Sequence, residues 1–126
     1  MVNEYKKIVA VDDDITNLSV VYKALIDKYD VYTVPSAEKL FPLLERITPD
    51  LILLDMLMPG MDGFEALKRL KSSNDLAGIP VILVTAVTDQ RTIKACIAAG
   101  ALDCIAKPFA KDALVRRIDM LFRGEA

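Results

Sequence analysis

The chain has 126 residues, 53% of them apolar, with 16 basic and 18 acidic residues and a formal net charge of −2. That length suits one domain, and that apolar content can build a real core, so intrinsic disorder is excluded. There is no basic excess for direct nucleic-acid binding, no apolar run near the ~20 residues of a membrane-spanning helix, and no histidine for a metal site, a catalytic triad or phosphorylation within the chain.

Apolar runs alternate with helical spacing five times. "KIVAV" (7–11) reads as a buried strand, followed by Leu18, Val21 and Leu25 at helical intervals. "DVYTV" (30–34) is the second strand. Ser36 can cap the next helix, whose apolar face is Leu40, Leu44 and Ile47, with Pro42 inside it predicting a kink or a late start. "LILL" (51–54) precedes a helix bearing Phe64, Leu67 and Leu70. "VILV" (81–84) precedes one bearing Ile93 and Ile97, with Gly100 as its stop. "LDCIA" (102–106) is the fifth strand, and the last helix carries Leu114, Ile118 and Leu121. The opening "MVNEYKKIVAV" has too short an apolar stretch for a signal peptide, and two thiols, Cys96 and Cys104, in a chain with ample core point to a reducing cytoplasm.

Continuous apolar strands joined by helices predict an α/β fold with a parallel sheet covered on both faces. Right-handed crossovers bring all strand carboxyl ends to one edge, where open sheets bind ligands. On that edge Asp12 and Asp13 end the first strand, Asp55 the third, Thr85 the fourth and Lys107 the fifth. Each has a plain structural explanation taken singly. An Asp after a strand forms turns or caps helices, Thr85 or Asp89 could cap the fourth helix, Lys107 could be a solvated charge, and Asp62 in "PGMDG" is explained by turn chemistry. Together they are harder to dismiss, because every strand but the second ends in a group suited to phosphoryl chemistry.

Three carboxylates and a lysine suggest Mg²⁺ and a phosphoryl group, since Mg²⁺ takes oxygen ligands and relieves the repulsion among neighbouring acids. A carboxylate such as Asp55 can attack phosphorus to form an acyl phosphate. Lys107 would neutralise phosphoryl oxygens as a point charge and Thr85 would donate a hydrogen bond.

With these residues in place the sequence resembles the receiver domains of two-component response regulators, over residues 7–122. The motifs that carry the resemblance are "VDDD", "LLDMLMPGMDG", "VTA" and "KPF", in that family's order and spacing. The resemblance implies a doubly wound, flavodoxin-like sheet of strand order 2-1-3-4-5 with five helices, as one receiver domain over residues 1–126. It implies that Asp55 accepts a phosphoryl group from a phosphohistidine on a sensor histidine kinase or histidine phosphotransfer protein. It implies Mg²⁺ held by Asp13, Asp55 and the backbone carbonyl of Leu57, with Asp12 acting through water, and Thr85 and Lys107 on the phosphoryl oxygens. It also implies a cis bond before Pro108, where an X–Pro bond is ordinarily trans. The signal would leave by the fourth helix, fifth strand and fifth helix, controlling an output or a homodimer, with no direct nucleic-acid or membrane partner. Asp14 lies outside the family's acidic pair and falls to the start of the first helix. No output domain follows the fifth helix, so the chain is either a stand-alone regulator or a piece of a larger one.

Two departures from the family pattern carry expectations. Leu57 and Val87, two residues past Asp55 and Thr85, flank the path of the attacking water in receivers; both are apolar here, which predicts a long-lived acyl phosphate. Cys104 stands three residues before Lys107, where many receivers carry an aromatic switch; a thiol has little to swing, so the switch should be muted and displacement of the loop after Thr85 and the fourth helix, residues 89–99, should carry more of the output.

Two rival readings compete. Asp12-Asp13-Asp14-Ile15-Thr16 is also D-x-D-x-T, which resembles the first motif of haloacid-dehalogenase-type phosphohydrolases, with Asp12 as nucleophile and Asp14 as acid and base. Against it, the later acidic cluster of that family is missing, the chain is short for that fold, and "LLDMLMPGMDG" is left unexplained. A flavodoxin-like cofactor binder would need a phosphate-cradling loop where three carboxylates stand.

Overall fold

In the computed structural model, which describes residues 5–86 and 89–124, strands and helices alternate. They are β1 (Lys7–Val11), α1 (Ile15–Leu25), β2 (Asp30–Val34), α2 (Ala37–Leu44), β3 (Leu51–Leu54), α3 (Gly63–Ser72), β4 (Val81–Thr85), α4 (Gln90–Ala98), β5 (Asp103–Ala106) and α5 (Lys111–Phe122). Val87 lies outside the described residues. The strands form one parallel sheet in the order β2-β1-β3-β4-β5.

Alternation along the strands sorts the core into two layers. Val9, Val11, Ile52, Leu54, Val81 and Leu83 face α2, α3 and α4, meeting Leu40, Leu67, Leu70 and Cys96. Ile8, Ala10, Leu51, Leu53, Ile82 and Val84 face α1 and α5, meeting Leu18, Val21, Leu25, Leu114 and Ile118. Both faces of the central strands are therefore dry, which is why they read as unbroken apolar runs. Truncating a fully buried leucine such as Leu67 or Leu70 to alanine costs about 2–5 kcal/mol.

Four helices start on side-chain caps. Asp14, Ser36, Asp62 and Asp89 each accept a hydrogen bond from a backbone N–H of the first turn, replacing partners the helix start lacks. Asp89, rather than Thr85, caps α4. Gly100, at φ +114°, follows α4 as its stop.

Three details differ from the sequence reading. The α2 helix starts at Ala37, well before Pro42, and ends at Leu44. Ile47 lies past its end, where the Glu45 and Arg46 N–H groups bond to carbonyls three residues back in a tightened last turn, yet it still packs on the core. In α4 the buried position is Cys96, whereas Ile97 is exposed; the helix and its C-cap meet the core through Cys96 and Ala99, small side chains that carry little hydrophobic signal. Strand β5 begins at Asp103 rather than Leu102, which is half exposed.

Candidate functional site

Sheet hydrogen bonding sets the carboxylates. Val11 of β1 is level with Leu54 of β3, so Asp12 and Asp55 leave the sheet side by side. Their own N–H groups remain anchored, Asp12 donating to the Val34 carbonyl at 3.2 Å and Asp55 to the Val11 carbonyl at 2.9 Å. Both are buried and Asp13 is exposed. An oxygen from each of Asp12, Asp13 and Asp55 lies within 4.8 Å of the others.

Lys107 arrives from the other side of the sheet. Thr85 pairs with Ala106 in the β4–β5 register, and the Lys107 N–H donates to the Thr85 carbonyl at 2.9 Å. The Lys107 ammonium sits 2.8 Å from Asp12 Oδ2 and 3.4 Å from Asp55 Oδ1. Asp12 also accepts the Asp14 N–H at 2.9 Å, and Asp55 accepts the Leu57 N–H at 3.4 Å. Thr85 is buried at the end of β4. The Lys107–Pro108 peptide is cis, against the ordinary preference of an X–Pro bond.

The charges in this cluster do not balance. Burial and, second, the negative charge of Asp12 push the Asp55 carboxyl up to about 6; Lys107 and the Leu57 N–H oppose this incompletely. Burial works against the charge on Lys107, but its hydrogen bond to Asp12 and the charges of Asp55 and Asp12 outweigh it and raise its pKa. Both shifts have one setting: two buried carboxylates share one ammonium, and Asp55 and Lys107 hold their protons more tightly than in water. The third carboxylate adds to the excess. An oxygen-only donor set with surplus negative charge fits a hard divalent cation such as Mg²⁺.

The loop after β3 is shaped by glycine. A Cβ at Gly63 would lie 2.3 Å from the Asp55 carbonyl oxygen and 2.6 Å from the Met56 Cα. Only glycine lets the Gly63 N–H reach the Met56 carbonyl at 2.9 Å and close the loop against the strand end. Leu57, on this loop, is 59% exposed. Cys104, level with Leu83 on β4, is half-buried against the α2–α4 side of the core, and burial raises its thiol pKa.

The structure thus gathers Asp12, Asp13, Asp55, Leu57 and Lys107 at one end of the sheet, with Thr85 on the adjoining strand end. Asp14 is used otherwise, accepting the Thr16 and Asn17 N–H groups as the α1 cap. Two contacts were not foreseen. Lys107 is held by Asp12 more closely than by Asp55. The Glu38 carboxylate of α2 accepts the Met61 N–H at 3.1 Å, reaching the loop after β3. The first could have been drawn from charge counting at the rim; the second has no signal in the sequence, because Glu38 reads as an ordinary acid in a first helical turn.

Comparison with known proteins identifies the family to which the chain is similar. The family model for the response regulator receiver domain matches residues 8–119. The chain is 39% identical over 105 residues to the two-component response regulator ORR6 of Oryza sativa subsp. japonica, covering 80% of this chain and 62% of that one. It is 37% identical over 114 residues to the heme response regulator HssR of Staphylococcus aureus (strain Newman), covering 90% and 50% respectively. The structure of the chemotaxis protein CheY4 of Vibrio cholerae superposes with a TM-score of 0.86 at 28% identity, covering 91% of this chain and 97% of that one. The chain therefore spans only part of the length of these two sequence relatives. Nothing in the match supports the phosphohydrolase alternative with Asp12 as nucleophile and Asp14 as acid and base. Among the described residues no helix is long and apolar enough to cross a membrane.

Proposed function

The chain belongs to the response regulator receiver domain family, and from that premise we propose that Asp55 is its phosphoacceptor, charged by a phosphohistidine on a sensor histidine kinase or histidine phosphotransfer protein. The observation that carries this reading is the position of Lys107 between two buried carboxylates, with a third within 4.8 Å, at the carboxyl edge of the sheet. An Asp55 oxygen attacks phosphorus, the P–N bond breaks with its electron pair going to the imidazole, and an acyl phosphate remains. Asp55 is mostly ionised at neutral pH, as a nucleophile must be. Lys107, already against Asp55, turns to the phosphoryl oxygens, and Thr85 donates its hydroxyl to another. Asp13, Asp55 and the Leu57 carbonyl would hold Mg²⁺, with Asp12 through water. When bound, the ion supplies positive charge to the oxygens of the transferring group.

On this reading the domain is a switch in the cytoplasm rather than a turnover enzyme, and its slow self-dephosphorylation sets the signal lifetime. Movement of Thr85, and with it α4 and β5, controls an output or homodimerisation. Cys104 at the aromatic switch position mutes the side-chain part of that movement. The test is treatment with acetyl phosphate and Mg²⁺, trapping of the acyl phosphate and mapping by mass spectrometry. Label on Asp55, lost in Asp55→Asn, is expected. Label on Asp12, or steady release of phosphate from small phosphoesters, would overturn the assignment.

A further inference from the structure

The loop that follows β3 must present the Leu57 carbonyl, yet it lies at the surface with an exposed leucine at its turn. Three of its fastenings come from neighbours in sequence: the Leu57 N–H to Asp55 Oδ1 at 3.4 Å, the Gly63 N–H to the Met56 carbonyl at 2.9 Å, and the Asp62 side chain capping α3 at the Glu65 N–H at 2.9 Å. A fourth comes from another helix. Glu38, in the first turn of α2, accepts the Met61 N–H at 3.1 Å. The backbone opposite is cut to receive it. Gly60 has φ +76°, and a Cβ built there would lie 2.4 Å from Glu38 Oε2. A side chain at position 60 would be strained by its backbone and would also meet the carboxylate. Because Glu38 is two residues past the Ser36 cap, its position is set by where α2 begins.

We propose that Glu38 is a positioning residue for the cation site: by holding the Met61 N–H it fixes residues 56–62 and so keeps the Leu57 carbonyl directed at the ion held by Asp13 and Asp55. This rests on the cation site proposed above. Glu38 touches neither the ion nor the phosphoryl group; it acts through the loop, as outer contacts orient metal ligands elsewhere. It also ties α2 to the site, so a partner that moved α2 would alter cation affinity.

The experiment is Mg²⁺ titration of the wild type, Glu38→Ala, Glu38→Gln, Gly60→Ala and Asp13→Asn by calorimetry, with exchange of the Met61 amide and the urea midpoint measured without metal. In Glu38→Ala, Mg²⁺ affinity should fall about tenfold and Met61 exchange should quicken about tenfold or more, with the urea midpoint nearly unchanged. Glu38→Gln keeps a carbonyl acceptor and should restore both. Gly60→Ala should weaken Mg²⁺ binding at least as much as Glu38→Ala, because it strains the backbone at φ +76° as well as crowding the carboxylate. Unchanged Mg²⁺ affinity in Glu38→Ala despite faster Met61 exchange would overturn the proposal, as would Glu38→Gln failing like Glu38→Ala. If the wild type bound Mg²⁺ no better than Asp13→Asn, the cation site itself would be refuted and this inference with it, while the Met61 exchange data would still report whether the Glu38 contact exists.

Discussion

Replacing Asp55 with asparagine should make the metal-free protein more stable at neutral pH although it destroys the phosphoacceptor. The folded protein raises this carboxyl from the ordinary 3.8 to about 6. At about 1.4 kcal/mol per pH unit, ionising it in place costs about 3 kcal/mol at pH 8. Asparagine removes that charge, keeps an oxygen for the Leu57 N–H and leaves Lys107 its closer partner Asp12. The 3.4 Å contact with Lys107 is already counted in that cost; screening by solvent at the rim reduces the net gain to about 1–2 kcal/mol. For a domain of this size that is about 3–6 °C in melting temperature. The sign depends on pH. Below about pH 4 the carboxyl is protonated in folded and unfolded chains alike and the variant gains nothing from charge removal. As pH rises from about 4 to about 6 the unfolded chain releases this proton while the folded chain holds it, so the wild type loses stability that the variant keeps, and above about 6 the difference levels off. The assay is urea denaturation followed by circular dichroism at pH 5 and pH 8, in chelator and in millimolar Mg²⁺. The gain should be full at pH 8 in chelator, about half as large at pH 5, and reduced by Mg²⁺, which stabilises only the wild-type site. Destabilisation at pH 8 without metal, or a gain independent of pH, would refute the argument that excess negative charge is stored here.

Three further outcomes are expected. Leu57→Asn combined with Val87→Glu should shorten the acyl phosphate lifetime several-fold, because polar groups would then orient the attacking water; phosphate release from the purified phosphoprotein measures this, and an unchanged or longer lifetime would remove the idea. Cys104→Ala should barely change the ratio of partner or dimer affinity with and without beryllofluoride, whereas Thr85→Ala should largely abolish it; loss of the ratio in Cys104→Ala, with fold and phosphorylation intact, would make the thiol the switch. Asp14→Ala removes the acceptor for the Thr16 and Asn17 N–H groups and should cost about 1 kcal/mol in urea denaturation while leaving phosphorylation by acetyl phosphate intact; a loss of phosphorylation would place Asp14 in the site after all.

The alternation of apolar runs with helical spacing was enough to determine the α/β class, the order of elements and the edge at which the polar groups meet, because strand periodicity and crossover handedness are local and general. Asp12, Asp55, Thr85 and Lys107 were legible as strand-end residues for that reason. Their roles came from motif resemblance, since spacing along a chain carries no distances. Only the tertiary structure decided that Lys107 lies nearer Asp12 than Asp55, that burial and Asp12 together raise the Asp55 carboxyl, and that Cys96 rather than Ile97 faces the core. These depend on how helices settle on the sheet, where the fit of small side chains outweighs hydrophobic pattern. The contact between Glu38 and Met61 is the extreme case. The two residues are 23 apart in sequence, and they meet because α2 and the loop after β3 are brought together by packing that neither segment encodes alone.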